Sequence, residues 1–313
     1  MRKTIFLLLL SGLLCVSITE IKGQENSLIK RTIKQGEQER VYLIHYPGNL
    51  KPEIPSVLLV VLHGANGTPD RMAERTEFNK ISDREGFTVV YPGSIGKQWN
   101  DGRGVSTRRG KDVSTIDDVG FISSLIDSLI ITGDADSSNI FVTGMSNGGM
   151  MTYRLGIEIG SKIKAIAAVI ANIPVSISEE KPAKKLPVLI MNGTEDPIIP
   201  WNGGKVKILW KNYGEVVSTE KTLNYWLSAD SITSKPLVTI LPDKDKEDNC
   251  RVEKAVYKAG NKPEQVVLFS IKGGGHNLPG GNTPDRPRVV GHKCNDITAT
   301  EEIWLFFKQY VKN

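Results

Sequence analysis

Ser146 lies in the pentapeptide Gly144-Met145-Ser146-Asn147-Gly148, between a predicted strand and a predicted helix. This context is typical of a tight turn that exposes a nucleophilic serine hydroxyl, because small residues must flank the serine there. A serine is a poor nucleophile alone and needs a base, which in turn needs an orienting acid. The pattern predicts acyl transfer; the alternative is a Gly-rich helix N-terminus without chemistry.

A histidine and a carboxylate follow Ser146 in the chain order that this arrangement requires. Two of the four histidines, His276 and His292, come after the serine. We favour His276 as the base because it lies in a Gly-rich loop directly after a predicted strand, whereas His292 has charged neighbours. Asp196 directly follows another predicted strand and is favoured as the acid, with Glu195 as its competitor.

Two backbone amides are needed to stabilise the oxyanion that forms on the attacked carbonyl group. The amide of Asn147 follows the nucleophile, and the amide of Ala65 lies in a loop after an earlier strand. His63, in the same loop, is predicted to brace it. Trp99 lies among polar loop residues and is predicted to line the substrate cleft; core packing is the alternative.

The elements that must position these residues alternate along the chain. Buried strands are predicted at residues 41–44, 57–62, 87–91, 140–143, 165–170, 188–191 and 266–271, and helices at 71–84, 117–131, 147–156, 219–228 and 298–312. Continuous apolar strands indicate a mostly parallel sheet with helices on both faces, and hence one α/β domain. Residues 93–114 interrupt the alternation, and so do residues 197–248 apart from the predicted helix inside them. Loops of this length are usually functional or mobile.

Composition and the N-terminus exclude several classes of protein. The 313 residues carry a net charge of +5 without a basic, aromatic-rich run, so no nucleic-acid partner is expected. Residues 1–23 have the pattern of a secretory signal peptide, which leaves a hydrolase domain at 24–313. The expected location is therefore secreted or periplasmic, with no membrane attachment after signal removal; lipidation at Cys15 is the alternative.

Cys250 and Cys294 are the pair that remains once Cys15 is removed with the signal segment. Because export implies an oxidising compartment, a disulfide between them is a reasonable hypothesis. Two unrelated buried thiols are the alternative.

Six motifs together resemble one group of secreted esterases: polyhydroxybutyrate depolymerases, feruloyl esterases and acetylxylan esterases of the first carbohydrate esterase family. The motifs, in chain order, are His63-Gly64, Trp99-Asn100-Asp101-Gly102, Asp117-Asp118-Val119-Gly120-Phe121, Gly144-Met145-Ser146-Asn147-Gly148-Gly149, Gly193-Thr194-Glu195-Asp196-Pro197 and Gly274-Gly275-His276. The resemblance implies an α/β-hydrolase fold, a triad of Ser146, Asp196 and His276, and no cofactor or metal. The sequence departs from the group at Ala65-Asn66-Gly67 and at Asn277-Leu278, where relatives commonly carry a Cys or Gln and Thr-Trp.

The predicted partner is an ester substrate, first of all an acylated plant oligosaccharide or polysaccharide cleaved by a feruloyl or acetylxylan esterase. A polyhydroxyalkanoate depolymerase is the first alternative. It is ranked second because the single domain brings no module that would adsorb to a polymer. A serine peptidase on the same fold is the second alternative.

Overall fold

The computed structural model describes residues 28–48, 55–107, 110–258, 260, 265–283 and 286–312. The predicted signal segment, residues 1–23, and Cys15 lie outside these ranges. Within them, no helix combines the length and the apolar character needed to cross a membrane.

Ten strands form one sheet and two more form a separate hairpin. The strands are β1 Ile29–Gln35, β2 Gln38–His45, β3 Leu58–Leu62, β4 Thr88–Pro92, β5 Ile140–Met145, β6 Ala165–Val169, β7 Val188–Gly193, β8 Gly204–Ile208, β9 Lys211–Val216, β10 Leu237–Ile240, β11 Arg251–Lys258 and β12 Gln265–Lys272. The large sheet has the order β1-β2-β4-β3-β5-β6-β7-β12-β11-β10, and β8 pairs with β9. Its six central strands, from β4 to β12, are parallel, and two antiparallel strands extend it at each edge.

Helices cover both faces of this sheet. They are α1 Pro69–Thr76, α2 Phe78–Glu85, α3 Asp118–Ile131, α4 Asn147–Glu158, α5 Thr219–Asp230, α6 Pro287–Val290 and α7 Ala299–Lys308. Strand β3 shows why both faces need cover: all five of its residues are buried. Because successive side chains point to opposite faces, Leu58, Val60 and Leu62 join one apolar core, and Leu59 and Val61 join the other.

The seven predicted strands and the predicted α/β architecture are confirmed, and the structure corrects several details. The helix expected at 71–84 is two helices, because Glu77 between them has a left-handed backbone with φ 51°. Residues 197–248 contain, besides the predicted helix α5, the β8–β9 hairpin and β10. Thr298, directly before α7, makes no side-chain cap, and Glu301 in the first turn pairs with Arg84.

A disulfide joins Cys250 to Cys294, with the two Cα atoms 5.8 Å apart. It ties the start of β11 to the segment that leads into α7. The carboxylate of Asp248 supports the same junction, since it accepts hydrogen bonds from the amides of Cys250 and Asn295 at 3.0 and 2.7 Å. The carboxylate also lies near both sulfurs, but the disulfide leaves neither sulfur available as a thiolate ligand.

Replacing both cysteines, Cys250→Ala with Cys294→Ala, should lower the free energy of unfolding by about 2 to 4 kcal/mol. The bond closes a loop of 44 residues, so its loss gives the unfolded chain more conformational entropy. Urea denaturation of the variant and of the oxidised and reduced protein would measure the change. Equal stability of all three samples would contradict the expectation.

Candidate active site

Ser146 lies at the turn between β5 and α4, where the backbones pack too closely for side chains. A Cβ on Gly144 would lie 2.4 Å from the carbonyl oxygen of Gly148, and a Cβ on Gly148 would lie 2.4 Å from that of Leu62. Ser146 itself has φ 57° and ψ −123°, an unfavourable conformation for a non-glycine residue. The turn therefore keeps this serine in a strained position at the sheet edge.

Ser146, His276 and Asp196 form a continuous hydrogen-bonded chain. The Oγ atom of Ser146 lies 2.9 Å from Nε2 of His276, and Nδ1 of His276 lies 2.7 Å from Oδ2 of Asp196. The Asp196 carboxylate accepts a hydrogen bond from the Nδ1–H group of His276, which leaves Nε2 as the nitrogen that can take the serine proton. This is the geometry that a nucleophile, a base and an orienting acid require.

Both partners of the serine are themselves held in place. Oδ1 of Asp196 accepts hydrogen bonds from the amides of Ile198 and Ile199, each at 2.8 Å. The amide of His276 donates to the carbonyl oxygen of Val290 at 2.5 Å. The imidazole is therefore fixed both through its acid partner and through its own loop.

The two competing residues lie beside this chain and contribute backbone atoms. Glu195 is exposed, and its amide donates to the carbonyl oxygen of Gly274 at 3.0 Å. His292 is also exposed, and its carbonyl oxygen accepts the amide of Gly275 at 2.8 Å. Both therefore brace the loop before His276, a role that the sequence did not reveal.

The amides of Asn147 and Ala65 belong to residues that flank Ser146 on two neighbouring strand ends. Within the described ranges, neither amide has a hydrogen-bond acceptor. His63 holds the Ala65 loop: its Nδ1 lies 2.8 Å from the Gly64 carbonyl oxygen, and its Nε2 accepts the Ser94 amide at 3.2 Å. Two free N–H groups beside a serine hydroxyl are suited to bind a developing oxyanion.

Trp99 does not line the cleft, so that prediction is wrong. Its side chain is completely buried, and its indole N–H donates to the carbonyl oxygen of His63 at 2.8 Å. Its amide donates to Oδ1 of Asn147 at 2.8 Å, and its carbonyl oxygen accepts Nδ2 of Asn147 at 3.0 Å. Trp99 therefore positions the two loops that carry the free amides.

Asp101 and Arg103 extend the network around Asn147, a positioning role that the sequence did not reveal. The Asp101 carboxylate accepts Nδ2 of Asn147 at 2.6 Å and is paired with the buried Arg103 guanidinium at 2.7 Å. Arg103 also donates to the carbonyl oxygen of Tyr213 at 2.5 Å, which connects the loop to the β8–β9 hairpin. The sequence feature that could have indicated this role is the position of Asp101 and Arg103 close to Trp99 in the chain.

Two cavities meet at Ser146, which lines both of them. The inner pocket has a free volume of only about 30 Å³ and is lined by Gln98, Arg103, Met150, Ile199, Val206 and Ile208, among others. The outer cleft has a volume of about 310 Å³ and is lined by Arg75, His276, Leu278, Thr283, Arg286 and Val290, among others. His276 lines only the outer cleft and Asn147 lines only the inner pocket, whereas Ala65 lines both.

The sequence of this chain is similar to the sequences of known esterases. Residues 55–216 match the sequence family described as phospholipase/carboxylesterase. NocK of Nocardia uniformis subsp. tsuyamanensis, which has a provisional name as an esterase, is 26% identical over 289 residues, covering 87% of this chain and 80% of NocK. The bifunctional acetylxylan esterase/xylanase XynS20E of Neocallimastix patriciarum is 31% identical over 170 residues, covering 54% of this chain and 23% of XynS20E.

Among solved structures, an acetyl xylan esterase from Aspergillus awamori superposes with a TM-score of 0.59. Its sequence is 14% identical, and the match covers 90% of this chain and 99% of that one. At this level of identity the similarity shows the α/β-hydrolase fold.

His63 should make stability depend on pH. Burial lowers the pKa of His63 to about 4 from 6.5, so the unfolded chain binds the proton more tightly than the folded chain. The free energy of unfolding should therefore fall as pH decreases from about 6.5 to 4, with a contribution of roughly 3 kcal/mol from this residue.

Urea denaturation at several pH values would measure this contribution against His63→Gln, which should show a flatter dependence in this window. The exposed His292→Gln is the matched control and should keep the slope. An NMR titration that gave His63 an ordinary pKa would contradict the expectation without requiring a folded variant.

Proposed function

Because the chain belongs to the phospholipase/carboxylesterase family and is an ester hydrolase of the α/β-hydrolase fold, we propose that it is an extracytoplasmic serine esterase. Its proposed substrates are acetyl groups on plant cell-wall polysaccharide, as in acetylxylan. The signal pattern of residues 1–23 and the Cys250–Cys294 disulfide support export to an oxidising compartment. The proposal on substrate rests on the small volume of the inner pocket.

Ser146 attacks the ester carbonyl carbon while Nε2 of His276 removes the hydroxyl proton. A bond forms between Oγ and that carbon, and the amides of Asn147 and Ala65 stabilise the negative oxygen. When the tetrahedral intermediate collapses, the carbon–alkoxy bond breaks and His276 returns the proton to the leaving alcohol. Water, activated by His276, then releases the acid from Ser146, and Asp196 holds the imidazole throughout.

The position of His276 distinguishes the two cavities. The leaving oxygen must approach Nε2 to receive its proton, so the alcohol occupies the outer cleft and the acyl group occupies the inner pocket. The inner pocket is the smaller of the two spaces, with about 30 Å³ against about 310 Å³ in the outer cleft, so it is suited to a small acyl group. An acetyl group fits this space, whereas a feruloyl group or a hydroxybutyryl unit would require the pocket to open.

Ser146→Ala should lower kcat for p-nitrophenyl acetate by about 10⁴-fold or more, because it removes the nucleophile. The exposed Ser137→Ala is the matched control and should keep full activity. Circular dichroism would establish that both variants are folded. Retained turnover in the Ser146 variant would exclude the proposed mechanism.

We expect the enzyme to distinguish strongly between esters of short and longer acyl chains. For the unmodified enzyme, kcat/KM should fall at least about tenfold from p-nitrophenyl acetate to the butyrate, because the added methylenes exceed the inner pocket. Ile208→Ala enlarges this pocket and should raise the butyrate-to-acetate ratio.

Ile240→Ala, on the exposed edge strand β10, is the control and should leave the ratio unchanged. Efficient hydrolysis of methyl ferulate by the unmodified enzyme would contradict the acetyl assignment while leaving the serine mechanism intact.

A further inference from the structure

The outer cleft carries two arginines that have no ion-pair partner in the part of the chain that the structure describes. Arg75, near the end of α1, and Arg286, directly before α6, both line it. Neither forms an ion pair within the described residues. Arg75 and Arg286 are exposed, so both guanidinium groups are available to a ligand in the cleft.

The arginines without a described ion pair lie together in this structure. Six of the ten described arginines are paired with carboxylates. The four without a described partner are all on or beside two short helices: Arg71 and Arg75 on α1, and Arg286 and Arg288 at α6. The arginines without an ion pair among the described residues therefore cluster at the two helices beside the outer cleft.

No acidic residue offsets this charge among the described residues that line the cleft. Asp70 and Glu74 are the acidic residues of α1, and neither lines it. The described lining thus offers two cations to its occupant.

We propose that the esterase prefers substrates whose alcohol part carries a carboxylate, such as acetylated oligosaccharides with a uronic acid residue near the acetylated sugar. This inference rests on the proposed function, because the proton transfer from His276 is what places the alcohol in the outer cleft. Arg75 and Arg286 bind the carboxylate through charge-assisted hydrogen bonds, for which the guanidinium group is well suited. The cleft has a volume of about 310 Å³, which gives room for a sugar beyond the scissile ester.

Two acetylated xylo-oligosaccharides, one with and one without a uronic acid substituent, would test this preference. The measured quantity is the ratio of their kcat/KM values for acetate release. The unmodified enzyme should favour the charged substrate by roughly fivefold or more at low salt, since exposed ion pairs contribute up to about 1 kcal/mol each. In 0.5 M NaCl the ratio should fall towards one, because salt screens exposed charges.

The variant Arg75→Gln with Arg286→Gln should bring the ratio close to one at low salt. Arg71→Gln with Arg288→Gln is the matched control: it removes the same charge from the same two regions, at residues that do not line the cleft. The control should keep the preference. If both double variants lose it equally, the contact assigned to Arg75 and Arg286 is wrong.

The outcomes separate the two proposals. Acetate release from both oligosaccharides with a ratio near one, in the unmodified enzyme at low salt, overturns the carboxylate preference and leaves the acetyl esterase intact. Failure to hydrolyse either oligosaccharide or p-nitrophenyl acetate overturns the proposed function itself. The salt dependence of the unmodified enzyme keeps the test decisive if the Arg75 and Arg286 variant does not fold.

Discussion

The close packing of the backbone at Gly144 and Gly148 is the constraint on which the rest of the site depends. A side chain at either position would collide with a carbonyl oxygen, one belonging to Gly148 and the other to Leu62. Because these residues have no side chains, α4 begins immediately after β5 and beside the end of β3. Ser146 is thereby raised from the sheet, with the free amides of Asn147 and Ala65 beside it.

The parallel sheet brings the other parts of the site to this turn. Strands β5, β7 and β12 run in the same direction, so the residues that follow them lie at one edge. Ser146, Asp196 and His276 come from these three strand ends, although the serine and the histidine are separated by 130 positions. The hydrogen bonds to Asp196 and to the His276 loop then convert this proximity into a fixed geometry.

The buried strands could be predicted from the sequence, and so could Ser146, Asp196 and His276, because each has a local signal. A continuous apolar run marks a strand covered on both faces, and a Gly-rich or polar turn marks its end. The edge strand β10 has four exposed residues and gives no such signal. Trp99 was misplaced for a related reason: its neighbours look like a surface loop, while its burial depends on distant contacts with His63 and Asn147.

Arginine has two different roles around Ser146, and its ion-pair partners distinguish them. Arg103 is buried against Asp101, so its charge is neutralised and its guanidinium serves to join the Trp99 loop to the β8–β9 hairpin. A buried Arg103 guanidinium without the Asp101 carboxylate would carry a large desolvation cost. Arg75 and Arg286 are exposed and bear no such cost, so the protein need not neutralise them. The inner pocket is therefore lined by an arginine whose charge is paired, Arg103. The described lining of the outer cleft instead carries Arg75 and Arg286, whose charges are available to the substrate.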